Sequence, residues 1–91
     1  MLVVNMKILK EIIGQWGFVD SKQLPELVKF FPTMPLVIKW GGMQRERIPA
    51  HKVAERIKIV EDSDQDYVRE VFIESSRFLQ LKEVFGLTDA S

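Results

Sequence analysis

Arg45, Arg47, Lys52, Arg56 and Lys58 lie close together in the sequence, and between residues 43 and 58 only Glu46 and Glu55 oppose them. Such a cluster can hold phosphates by displacing their counterions, or carboxylates of a protein partner through charge-assisted hydrogen bonds. Directly after it, residues 61–74 carry Glu61, Asp62, Asp64, Asp66, Glu70 and Glu74 against the single Arg69. The bland arrangement lays the two segments side by side, so that they partly neutralise each other. The sharper one turns one of them towards a charged partner. Aromatic and arginine side chains dominate the energetics of protein interfaces. Trp40, Gln44, Arg45 and Arg47 are therefore the candidate partner-binding residues.

Other chemistries have less to stand on. His51 is the only histidine, and no serine or cysteine near it in sequence invites activation, so an ordinary surface imidazole is expected. Asp62, Asp64 and Asp66 alternate as calcium ligands do, but Tyr67 stands where the sharp-turn glycine belongs and Ile73 where the closing glutamate belongs. A solvated acidic turn is the expectation there. The glycines at 14, 17, 41, 42 and 86 form neither a phosphate-cradling loop nor a dinucleotide fingerprint. The absence of cysteine excludes disulfides and thiolate metal centres, and fits a reducing compartment. The expectation is a non-enzymatic protein with no cofactor and no metal.

The elements that must position these residues follow from spacing. With 91 residues, 46% of them hydrophobic, and no net charge, the chain fits one small domain with a modest core. Residues 1–87 are expected to be compact and 88–91 frayed. The start of the sequence lacks the pattern of a signal peptide, and no apolar stretch approaches the roughly 20 residues of a membrane helix. A soluble, cytoplasmic setting is expected.

Leu36 to Trp40 is a short apolar run bracketed by breakers, which reads as a strand. Gly41-Gly42 then serves as a two-residue hairpin turn, with Met43 to Ile48 as the partner strand. The alternative makes Leu36 to Trp40 the end of a short helix stopped at Gly41. Before this run, Met6, Ile8, Leu9, Ile12, Ile13 and Trp16 fall within an arc of about 160° on a helix opened by an Asn5 cap and closed at Gly17. Leu2-Val3-Val4 is left extended. The arc is wide enough to bury on the core and on a second copy, so Met6, Leu9, Ile13 and Trp16 are the candidate self-association residues of a homodimer. A second helix opens at Pro25 and carries Leu24, Leu27, Val28 and Phe31 on one face.

Residues 50–74 fit two patterns. Val53, Ile57 and Ile59 alternate with Lys52, Arg56 and Lys58 as on a strand, while Val53, Ala54, Ile57 and Val60 fit a helix with Ile59 as the misfit. Tyr67 to Glu74 divides in the same way, and β-branched enrichment around the acidic turn tips the balance towards a hairpin. The last helix is capped by Ser75 or Ser76, carries Phe78, Leu81 and Phe85, and stops at Gly86 with Leu87 folding back on Leu81.

One resemblance to a known family enters here. Leu36-Val37 followed by Trp40-Gly41-Gly42 and then Ile48-Pro49 is similar to the helix–Gly-Gly–strand–Ile-Pro passage of the Mor-type phage transcription activators. Leu79 to Thr88, with Phe85-Gly86-Leu87-Thr88, resembles the first helix and turn of that family's helix-turn-helix. The resemblance implies a dimeric DNA-binding activator with Gln44 and Arg45 near the DNA-contacting strand, here without the recognition helix.

The resulting expectation is an α+β domain with about three helices packed on a short antiparallel sheet or hairpin. Its expected role is that of a protein–protein interaction module, a small adaptor or inhibitor, with nucleic-acid binding as the rival. The near balance of charges weighs against a dedicated nucleic-acid binder.

Overall fold

The apolar run between Met34 and Gly41 becomes the middle strand of a sheet. In the computed structural model, which describes residues 2–41, 44–62 and 68–86, this strand is β1 (Pro35–Trp40). It pairs antiparallel with β2 (Arg45–Pro49) on one side and β3 (Val68–Ile73) on the other, giving the order β2-β1-β3. Four helices complete a small α+β domain: α1 (Leu2–Gly14), α2 (Leu24–Phe30), α3 (Ala50–Asp62) and α4 (Ser75–Val84). Both β2 and β3 run antiparallel to β1, so they are parallel to each other. The link between parallel strands requires a crossover, and α3 supplies it.

Period-two alternation sorts β1 into two faces. Leu36, Ile38 and Trp40 are buried, while Pro35, Val37 and Lys39 are half-buried. Val71 and Ile73 of β3 join the buried row, with Ile8, Leu9, Ile12 and Ile13 of α1, Leu27 of α2 and Val53 of α3. Complete burial of a side chain such as Ile12, Leu27 or Ile38 contributes about 1.5–3 kcal/mol. α1 packs on α2 and α4, α2 on α3, and α3 on β1 and β2.

Several expectations need correction. The hairpin is present, but its turn is longer than two residues. Lys39 faces Arg45, and the Trp40 N–H donates to the Gln44 carbonyl at 2.8 Å, so three positions and not two separate the paired residues. A two-residue turn would set Trp40 opposite Met43 and flip every β2 side chain to the other face. Gly42 and Met43 themselves lie outside the described residues. Leu2-Val3-Val4 is helical and not extended, and Asn5 lies inside α1. Extending a formed helix adds one hydrogen bond per residue, and this outweighs the local cap. The helix also stops earlier, at Gly14, and Trp16 belongs to the turn that follows.

Residues 50–73 form neither a hairpin nor two helices. Their first half is the helix α3 and their second half the strand β3, which pairs with β1. Val53 is fully buried and Ile57 and Val60 are half-buried on α3, whereas Ile59 is 54% exposed. That is the 3.6-residue pattern with its one misfit outside. The α4 cap is Glu74, whose carboxylate accepts from the Arg77 N–H at 3.1 Å and from the Ser76 hydroxyl. The expected return of Leu87 onto Leu81 and the tail 88–91 lie outside the described residues. The segment before Gly41 is a strand, where the resemblance to the phage activators implies a helix.

Candidate functional site

The face of the sheet opposite the core carries the chemistry. Strand register sets Arg47, Val37 and Phe72 in one row across β2, β1 and β3, and Arg45, Lys39 and Glu70 in the next. The first row continues to Phe18, whose ring meets Phe72 edge-on with centroids 5.8 Å apart. Val37, Lys39 and Phe72 are half-buried, and Arg45 and Arg47 are exposed. The face is therefore cationic on the β2 side and aromatic on the β3 side.

Lys39 joins the two halves. Its ammonium lies 3.6 Å from a Glu70 carboxylate oxygen and 5.3 Å from the centre of the Phe72 ring. The pair is solvent-accessible on both sides and contributes at most about 1 kcal/mol. Among the described residues, no carboxylate lies within 4 Å of the Arg45 or Arg47 guanidinium. Glu74 is near enough for the Arg47 charge to help lower its carboxyl pKa, after the larger effects of the Ser76 hydroxyl and the Arg77 N–H.

A groove of about 420 Å³ runs along this face. Val37 and Phe72 form its floor, Lys39, Arg45 and Arg47 edge it, and Trp16 and Phe78 stand beside it. Trp16 reaches this position from the turn that ends α1. The N–H groups of Gln15 and Gly17 both donate to the Ile12 carbonyl, at 3.0 and 2.9 Å, and both Trp16 and Gly17 have positive φ, at 62° and 82°. A side chain at Gly17 would bring its Cβ 3.0 Å from the Phe78 ring, so close packing as well as φ requires glycine there.

The two sheet edges differ. At the β3 edge, Val19 N–H donates to the Val71 carbonyl and Ile73 N–H to the Gly17 carbonyl, so residues 17–19 cover it. At the other edge, β2 has no further strand beside it among the described residues. The Trp40–Gln44 hydrogen bond fixes the alternation, so the backbone groups of Arg45 and Arg47 point outwards from that edge. The two arginines thus present side chains to the open face and backbone to the open edge.

The sequence-derived site residues are divided by the fold. Arg45 and Arg47 come together, with Gln44 exposed just before them. Trp40 is separated from them. It is 4% exposed on the core face of β1 and cannot serve as their exposed aromatic neighbour. Of the proposed self-association set, Leu9 (2% exposed) and Ile13 (5%) are withdrawn into the chain's own core, Met6 is half-buried, and Trp16 is 78% exposed. The basic cluster is also divided. Arg56 pairs with Glu46 at 2.7 Å, and that bond raises its pKa, while Lys52 and Lys58 are exposed elsewhere on α3. Lys39, Phe72 and Phe78 were missed. The strand register, which one sequence leaves open, brings Lys39 and Phe72 beside the arginines, and the packing of α4 against α1 and Gly17 brings Phe78.

His51 is exposed in the first turn of α3, where its backbone N–H donates to the Pro32 carbonyl at 2.9 Å. Asp64 and Asp66 lie outside the described residues, as does the side chain of Asp62. Among the described residues no group of three or more His, Cys, Asp or Glu side chains is placed to hold a metal ion, and no helix is long and apolar enough to cross a membrane. Comparison with family models, curated proteins and solved structures finds no match in any of the three.

Proposed function

We propose that this domain is a non-enzymatic binding module whose open sheet face and β2 edge take an extended acidic segment of a partner protein. The observation that carries this reading is the placement of Arg45 and Arg47, side by side, exposed and without a carboxylate within 4 Å among the described residues. Each guanidinium offers a planar fork of donors that matches a carboxylate. Their backbone groups at the free edge can pair with an added strand, which supplies affinity without regard to sequence, while the side chains select for negative charge.

The same residues argue against pairing with a second copy along this edge. An antiparallel pair centred on Glu46 would set Arg45 of one chain against Arg47 of the other, and like charges directly opposite are destabilising. Pro49 also lacks an N–H to give at the end of the strand.

Nucleic acid is the second reading, favoured by cations and aromatic rings on one open face. Charge weighs against it. The chain carries 13 basic and 13 acidic side chains, whereas dedicated nucleic-acid binders are basic overall, so little counterion release is available to drive phosphate binding. The test is fluorescence anisotropy with a labelled glutamate peptide of about eight residues, long enough to span the strand, at about 150 mM salt. Arg45→Ala/Arg47→Ala is expected to lose at least about tenfold in affinity, the equivalent of one charged hydrogen bond. Lys52→Ala/Lys58→Ala on α3 is expected to bind as the wild type does. Equal losses from the two double variants would contradict the proposal.

A further inference from the structure

Trp16 stands in a conformation that costs free energy and gains little burial in return. Its φ of 62° places a bulky L-residue in the left-handed region, where glycine or asparagine is normal. The side chain is 78% exposed, so packing in the core does not offset that cost. Strained residues of this kind cluster at binding sites, where the surrounding structure holds them in place for a purpose. Trp16 flanks the groove over Val37 and Phe72, with Phe78 close by and Arg47 at the rim.

We infer that Trp16 is an aromatic clamp, which stacks on one aromatic side chain carried by the acidic partner segment. The inference rests on the proposed reading of the basic face and names what else the partner must contain. Charge complementarity to Arg45 and Arg47 orients the segment, and the groove between Trp16 and Phe78 receives its ring. Aromatic pairs in offset or edge-to-face contact gain affinity beyond the area they bury. A flat indole with only two rotatable side-chain bonds loses little conformational freedom on binding.

The test uses two labelled peptides of about eight residues, one all glutamate and one with a single central phenylalanine, against wild type and Trp16→Ala. Anisotropy at about 150 mM salt is expected to show the phenylalanine peptide binding the wild type about tenfold more tightly than the other. Trp16→Ala is expected to abolish that preference, with a melting temperature no lower than that of the wild type. Equal binding of both peptides by the wild type, or a preference that survives in Trp16→Ala, overturns the clamp and leaves the basic-face reading intact. Failure of both peptides to bind overturns both readings. So does tighter binding of an oligothymidylate of about ten nucleotides, which would assign the face to single-stranded nucleic acid.

Discussion

Glu74 acts as a carboxylate at the start of α4. The Ser76 hydroxyl and the Arg77 N–H hold its carboxyl below the usual glutamate range against the opposing effect of desolvation, with a lesser contribution from the Arg47 charge. A folded value below the unfolded one stabilises the native state above about pH 4.3, the ordinary glutamate value, and this contribution is lost as pH falls through the folded value. Glu74→Ala is therefore expected to lower the melting temperature at pH 7, with the gap to wild type closing as the pH is taken below about 4. Melts followed by circular dichroism between these limits check both parts. Trp16 gives a second prediction at this scale. Trp16→Gly relieves the positive φ and is expected to raise stability by about 1 kcal/mol, the low end for such strain. Denaturant titration measures it, and a clear loss of stability would mean that the indole holds the fold together. Arg45 and Arg47 were legible as a pair from their i, i+2 spacing on a strand. The exchange of roles between the tryptophans was not. Helical spacing continues the apolar stripe to Trp16, but the helix ends at Gly14 and Trp16 is itself left-handed, and the strand's own alternation sends Trp40 inwards.

α3 is the element on which local pattern and tertiary context diverge. Val53, Ile57 and Ile59 share a face only if residues 50–60 form a strand, whereas in the helix Ile59 faces away. β-branched residues favour strands in isolation. Here Pro49 closes β2 and the helix begins at once, which lets the chain cross to the far side of β1. Val53→Ala is expected to cost about 1–3 kcal/mol for the lost burial and residual cavity. Ile59→Ser is expected to stay within about 0.5 kcal/mol of wild type. Equal costs in chemical denaturation would contradict the helical assignment. β1 and α2 were easier to read, because prolines and an unbroken apolar run leave little choice of boundary. The β1–β2 register was harder, since it depends on whether two or three residues make the turn.

At the scale of the whole molecule, β1 separates the basic strand from the acidic-flanked one, so among the described residues the neutralisation that charge order invites is reduced to the influence of the Arg47 charge on Glu74, while Lys39 pairs with Glu70 across β1 and β3. The α+β class was legible from the mixture of periodicities. Which strand lies beside which was not, because strand order depends on long-range pairing that local pattern does not encode. The apolar arc of α1 is covered within the chain at Ile8, Leu9, Ile12 and Ile13, and the β2 edge disfavours self-pairing. Sedimentation equilibrium at about 50 µM is therefore expected to return the monomer mass, and a dimer would show that another surface pairs.

The central claim, that the open sheet face binds an acidic segment, has an internal reporter in its two tryptophans. Addition of the glutamate peptide with its central phenylalanine to ¹⁵N-labelled protein should move the Trp16 indole signal together with the amides of Lys39, Arg45, Arg47 and Phe72. The indole signal of Trp40, buried on the other face, should stay in place. Shifts centred on Lys52 and Lys58 of α3, with Trp16 and the two arginines unmoved, would contradict the account.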